Sequence, residues 1–269
     1  MYNLKVDCHT HTIHTGHAYS TLAENVMIAA EKGLEAIAIT DHFGLQLSWI
    51  TPERMYNLEN HLKPESLPKF MRGVRIFTGV EIDIISMDGT LAGNEMPLSF
   101  FRYPDYKTYA DYILGTKDVV IASLHYFKGS RGKSIAENTQ MYINVLSQKN
   151  VDILGHPTRN GMDFDWPAIV EAAKAHGKMI EINNETLRSR PHQTDVNRQL
   201  AELCAKAGVS ICVGSDAHIC FNVGEFALTE QMLAEMDFPE ELIATRSLDA
   251  FETALARSRG LGHVDTKNQ

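Results

Sequence analysis

Val6-Asp7-Cys8-His9-Thr10-His11, with His17 six residues further on, is the stretch whose reading decides the fold. Side chains of a β-strand repeat direction every second residue. As a strand, the stretch therefore puts Asp7, His9 and His11 on one face, with two imidazoles aimed at one point. Two strand-borne imidazoles are half a metal site, and the rest of the chain must supply the other half.

Working outward, seven short apolar runs are strand candidates: residues 4–8, 36–40, 76–82, 119–124, 151–154, 179–182 and 210–213. Near-continuous apolar runs separated by helical segments indicate parallel strands covered by helices. The helices carry their own punctuation. Thr21 and Glu24 have capping-box spacing and Gly33 closes that helix. A second helix starts near Asp165, with Pro167 in its first turn, and stops at Gly177. A third runs from Thr194 or Asp195 to Gly208, with Leu200, Leu203 and Ala207 as its core stripe. This is the βα repeat of a barrel or a doubly wound sheet.

At 269 residues, 44% hydrophobic and 22% charged, the chain suits one globular domain, since α/β barrels run to about 250 residues as a unit. We take residues 1–262 as that domain and 263–269 as a polar tail. The formal net charge of -9 and the lack of any basic run argue against nucleic acid as a partner. No apolar run approaches the roughly 18 residues of a membrane span and Met1 leads straight into a strand, so a cytoplasmic protein is expected. Cys8, Cys204, Cys212 and Cys220 have neither zinc-knuckle spacing nor the density of a disulfide scaffold, and are assigned no role. Residues 43–70, with a short helix at 52–62, and residues 86–109 are expected to shape a pocket mouth.

The chemistry stands at the C-terminal ends of the strands. In chain order these ends carry His9 and His11, then Asp41-His42, Glu81, His125, His156, Glu181-Ile182-Asn183-Asn184, and Asp216-Ala217-His218. In parallel α/β barrels that face holds the active site. His9, His11, His17, His42, Glu81, His125, His156, Asp216 and His218 therefore form a candidate metal cluster. Imidazoles and carboxylates without a thiolate suit zinc first, with manganese or iron as alternatives. Nine donors exceed one ion and, with a bridging carboxylate, serve three. A single histidine is more often a satisfied core or surface residue than a ligand, and His14 (placed in a loop), His61, His176, His192 and His263 are left in that class.

His-x-His with a third histidine six residues on, followed by Thr-Asp-His, Gly-Val-Glu, Ser-Leu-His, Gly-His-Pro and Gly-Ser-Asp-Ala-His, resembles the polymerase and histidinol phosphatase (PHP) family. Glu181-Ile182-Asn183-Asn184 and Gly224-Glu225-Phe226 are similar to its YcdX-type phosphatase branch. The resemblance spans residues 1–262 and implies a distorted, TIM-like (β/α)7 barrel of PHP type with a trinuclear centre. It implies one ion on His9, His11, Glu81 and Asp216, a second on Glu81, His125 and His156, and a third on His17, His42 and His218, with Glu81 bridging the first two.

Clustered divalent ions activate a water near neutral pH and clamp the oxygens of an in-line displacement, so hydrolysis of a small phosphomonoester suits this site best. A phosphodiesterase or exonuclease, and a catalytically silent metal-binding module, are the alternatives. Glu81 and Asp216 are the carboxylates of the reaction centre. Arg159, Arg188 and Arg190 are candidates for the substrate's anionic end, and Asp7 and Asp41 for orienting ligating imidazoles. Base rates leave a symmetric homo-oligomer open.

Overall fold

The computed structural model describes residues 2–44, 61, 64–98 and 105–261. Among these, the strands are β1 (Val6–Thr10), β2 (Ala36–Ile39), β3 (His42–Phe43), β4 (Phe70–Met71), β5 (Val74–Asp83), β6 (Val119–Ser123), β7 (Ile153–Gly155), β8 (Met179–Asn183) and β9 (Ile211–Gly214). The helices are α1 (Leu22–Glu31), α2 (Tyr109–Thr116), α3 (Ile135–Leu146), α4 (Trp166–His176), α5 (Asn184–Ser189), α6 (Thr194–Ala207), α7 (Ala227–Glu235) and α8 (Leu248–Ser258). None of the described helices is long and apolar enough to cross a membrane.

The seven expected strands form one parallel sheet in the order β1-β2-β5-β6-β7-β8-β9. β3 adds a short parallel pairing beside Glu81, and β4 turns into β5 through Arg72 and Gly73, both at positive φ as a two-residue hairpin needs. The sheet curls until β9 meets β1. At the C-terminal end they join directly, Asp216 N donating to His9 O at 2.9 Å and His11 N to Ala217 O at 2.9 Å. At the other end Thr245 wedges between them, its carbonyl accepting from Lys5 N and its hydroxyl from Val213 N, each at 3.0 Å. This wedge is the distortion of the barrel, and it leaves the ligand-bearing end the tighter one.

Period-2 alternation divides the apolar residues between two clusters. Cys8, Ala38, Phe77, Ile121, Ile153, Met179 and Cys212 point into the barrel, where Phe251, Ala254 and Leu255 of α8 plug the lower end. Ile37, Ile76, Val120, Leu154, Ile180 and Val213 face outward against the helices. Capping boxes open α1 (Thr21, Glu24), α2 (Thr108, Asp111) and α3 (Ser134, Glu137), and Gly177 and Gly208 end α4 and α6 in the left-handed conformation. The α6 core stripe is rotated from the expected one. Asn197, Leu200, Ala201 and Cys204 are buried, while Leu203 and Ala207 are only half-buried. The expected helix at 52–62, apart from residue 61, and the tail at 263–269 lie outside the described residues.

One element departs from simple alternation in a way that builds the site. β1 pairs Asp7 with Ile37 and Thr10 with Ile39, so three steps of β1 span two of β2. The extra residue is a β-bulge, which re-aims the side chains that follow it. Val6 and Cys8 pack inside the barrel, yet His9 also turns inward, to reach Glu181 on β8. Asp7 is left on the opposite face from His9.

Candidate metal centre

Glu81 stands at the middle of the barrel mouth because β5 carries it inward from Phe77, two period-2 steps below. Its two oxygens face different imidazoles. Oε2 lies 3.3 Å from His9 Nε2, 3.5 Å from His11 Nε2 and 2.7 Å from His42 Nδ1. Oε1 lies 2.7 Å from His156 Nε2 and 3.5 Å from His125 Nε2. Asp216 Oδ1 is 3.1 Å from His11 Nε2 and 3.7 Å from His9 Nε2. His218 Nε2 meets His17 Nε2 at 2.9 Å on the outer, solvent-facing side. All nine sequence-derived candidates therefore gather at one end of the barrel.

Buried polar atoms are almost always hydrogen-bonded, so orphans need a cause. Here His9 Nε2, His11 Nε2, both ring nitrogens of His42, His156 Nδ1 and Glu81 Oε2 are buried without a hydrogen-bond partner. Among the described residues, four overlapping sets have ligand atoms within 4.8 Å of one another: His9/His11/Glu81, His9/His156/Asp216, His42/Glu81/His125 and His11/His42/His218. Converging imidazole and carboxylate lone pairs are the donor set that borderline divalent cations take. The residues fit a metal centre.

The electrostatics favour cations as well. Burial raises the cost of ionising Glu81, but His42, His9 and His125 outweigh it and hold the carboxyl well below its usual range. Asp216 is likewise buried and held well down, by Arg159 and then His9 and His11. Burial keeps His42 well below the ordinary imidazole value and pulls His218 down to about 4, leaving neutral rings with lone pairs to give. His9 goes the other way, because Glu181, Asp216 and Glu81 together overcome its burial.

Several supporting residues differ from expectation. Asp7, expected at an imidazole, accepts instead from Ser215 N at 3.0 Å and Gly224 N at 2.8 Å, because the bulge puts it on the other face. It pins the loop that carries Asp216 and His218. Asp41 reaches the candidate ligand His11 through Thr15, whose hydroxyl donates to Asp41 Oδ1 at 2.7 Å and meets His11 Nδ1 at 3.1 Å. Beyond the nine candidates, the carboxylates that touch their ring nitrogens among the described residues are Glu181, 2.9 Å from His9 Nδ1, and Asp83, 2.7 Å from His125 Nδ1. Asp83 was legible as the next inward position after Glu81 on the same strand. Arg159, expected to be free for a substrate anion, is engaged by Asp216 Oδ2 at 2.5 Å, Asn183 Oδ1 at 2.7 Å and Thr186 Oγ1 at 3.0 Å. Arg188 is paired with Glu185 at 2.5 Å, and Arg190 has no side-chain partner among the described residues.

Of the histidines set aside, His14 lies in a one-turn 3-10 helix, and His61 is buried with Nε2 on His42 O at 3.2 Å. His176 and His192 are exposed, and His263 lies outside the described residues. Two cluster members, His156 at φ 24° and Asp216 at φ 55°, hold left-handed backbone conformations that cost roughly 1 to 3 kcal/mol each in non-glycine residues. Strain of that kind gathers where side chains must be aimed. The cluster opens into a cavity of about 840 Å³ whose wall includes Tyr126, Arg159, Glu185, Arg188, Arg190 and Asn222.

Fold and site together define an α/β barrel built to hold divalent metal ions at the C-terminal ends of its strands. The chain belongs to the PHP domain family, whose model matches residues 7–185. A protein of Acetivibrio thermocellus named "Probable phosphatase" is 36% identical over 94% of this chain and 96% of its own length. One of Caldanaerobacter subterraneus subsp. tengcongensis, "Probable phosphatase TTE1963", is 37% identical over 95% of this chain and 92% of its own length. Among solved structures, the histidinol phosphate phosphatase of Lactococcus lactis, complexed with zinc, L-histidinol and phosphate, aligns with a TM-score of 0.58. It covers 87% of this chain and 94% of that one at 18% identity, a likeness of fold.

Proposed function

We propose that this chain is a metal-dependent phosphatase that hydrolyses small phosphomonoesters at a trinuclear centre. The observation that carries the reading is the set of imidazole nitrogens converging on the two oxygens of Glu81, with those of His9, His11 and His42 and Glu81 Oε2 itself buried without a hydrogen-bond partner. His9, His11, Glu81 and Asp216 would hold one ion, Glu81, His125 and His156 a second, and His17, His42 and His218 a third. Zinc is the first choice, on the donor set and on the zinc of the Lactococcus lactis structure. Bound divalent ions supply Lewis acidity, activating water and offsetting charge on phosphoryl oxygens.

The chain's own residues do the rest. Glu81 and Asp216 stay ionised because the surrounding imidazoles and Arg159 outweigh their burial, so they offset part of the charge of the ions they would hold. Arg159 fixes the direction of Asp216 and presents its remaining edge to the cavity. Arg190, uncommitted on the wall, is the cation left to meet the substrate's anionic end, with Arg188 beside it in its pair with Glu185. Cys8 and Cys212 face the barrel core, so neither is placed as a nucleophile. A cavity of about 840 Å³ accommodates a phosphate together with a small organic leaving group. The names of the relatives from Acetivibrio and Caldanaerobacter support the same reaction class.

The test is hydrolysis of p-nitrophenyl phosphate beside bis-p-nitrophenyl phosphate by zinc- or manganese-loaded protein. Monoester turnover, lost at least 100-fold in His42→Ala and Glu81→Ala, supports the reading. Turnover of the diester alone would replace it with a phosphodiesterase, and bound metal without turnover of either would replace it with a binding module.

A further inference from the structure

The partners behind the cluster are unevenly distributed. Metal-bound imidazoles are held, and made better donors, by a carboxylate or carbonyl on the far ring nitrogen, and such partners are worth about 10- to 100-fold in affinity. His9 has Glu181 at 2.9 Å and His125 has Asp83 at 2.7 Å. His11 has Asp41 through Thr15, over 3.1 and 2.7 Å. His156, whose ring has no such partner, is fixed through its backbone, its N–H donating to Glu181 Oε2 at 2.7 Å. Glu181 thus serves ligands of both ion positions that share Glu81.

His17, His42 and His218 are served less well among the described residues: His218 has a backbone carbonyl, His42 a carboxylate it shares with other rings, and His17 neither. His42 Nδ1 lies 2.7 Å from Glu81 Oε2, an oxygen that His9 and His11 also face, and its Nε2 has no hydrogen-bond partner. His218 Nδ1 meets only the backbone carbonyl of Asp216 at 3.0 Å, and the Asp216 carboxylate, 3.6 Å away, is committed to Arg159 and His11. His17 is exposed and meets only the other ring's Nε2. This group is also three imidazoles whose nearby carboxylates among the described residues, Glu81 and Asp216, are shared with the other positions, and all three line the open cavity, as His125 and Asp216 also do. Charge and orientation therefore point the same way.

We propose that the position formed by His17, His42 and His218 is a labile metal site, filled last and emptied first, beside a tightly held pair on the Glu81 side. The inference rests on the three-position reading above and adds an order of affinities to it. Between the two dissociation constants the protein holds two ions, so metal supply sets how much of it is complete.

The experiment is a Co²⁺ titration of chelator-stripped full-length protein, followed by visible absorption and by competition with a chelator. Two ions should bind at least 100-fold more tightly than the third. His17→Ala should abolish the weak phase and keep two tight ions, while Glu181→Gln and Asp83→Asn should each weaken the tight phase 10- to 100-fold. Three equal constants, or loss of a tight ion in His17→Ala, would overturn the proposal. His17 is exposed, so that variant stays informative even if Glu181→Gln does not fold. Two tight ions and one weak ion in a protein without phosphatase turnover would leave this inference standing and remove the phosphatase. Equal constants in an active phosphatase would do the reverse.

Discussion

Replacing Gly214 by alanine probes how closely β9 is fitted to the centre. Gly214 needs its missing side chain for room, since its φ is not positive. A Cβ there would overlap Glu181 Oε1 and lie 2.6 Å from His9 Cβ. Neither neighbour can yield freely. Glu181 Oε1 is held by His9 Nδ1 at 2.9 Å and Asn183 Nδ2 at 3.0 Å, and His9 sits in the bulge of β1. Overpacking of this kind costs about 1 to 3 kcal/mol, and at roughly 2 to 4 °C per kcal/mol the melting temperature should fall by about 2 to 12 °C. The displacement falls on the Glu181–His9 contact, so affinity for the tightly held ions should drop about 10-fold as well. Gly208→Ala is the control. Gly208 caps α6 at φ 71° with nothing within 4 Å of its would-be Cβ, so its cost is backbone strain of about 1 kcal/mol. Calorimetry and chelator competition on both variants decide the matter. Gly214→Ala with unchanged metal affinity, or Gly208→Ala with the same loss, would refute the steric argument.

Stripping the metal should lower the melting temperature. Ions at 100 times their dissociation constant contribute about 2.7 kcal/mol, or roughly 5 to 11 °C, and a scan with and without EDTA reads it. Arg259→Met should destabilise the fold by about 3 kcal/mol without changing metal content, because it strands buried Asp152, which Arg259 meets at 2.6 and 2.9 Å. Urea unfolding beside elemental analysis separates the two effects. All four cysteines are buried and burial pushes Cys204 up to about 12, so a thiol reagent at pH 8 should react slowly with native protein and reach four equivalents only in denaturant. Fast labelling of one thiol in the native state would contradict the packing.

The sequence by itself determined the barrel and the nine candidate ligands that gather at one end of it. Strand periodicity and the βα repeat are local properties, so seven apolar runs ending in His, Asp or Glu already imply a parallel sheet with those residues on one face. Asp83 was missed, although it shares the inward face of β5 with Glu81 two residues before it. What local pattern could not supply was anything that depends on two strands at once. The bulge in β1 exists only in its register with β2, and it alone turns Asp7 away from His9. Arg159 was legible as a cation near the site, but its commitment to Asp216 joins residues 57 positions apart. The hold of Glu181 on His9 spans 172 positions, and β8 and β1 are brought together only when β9 closes the barrel between them. The candidate ligands follow from the strands that lead to them, whereas their orientation, and with it the proposed ranking of metal positions, arises from contacts made when the sheet closes.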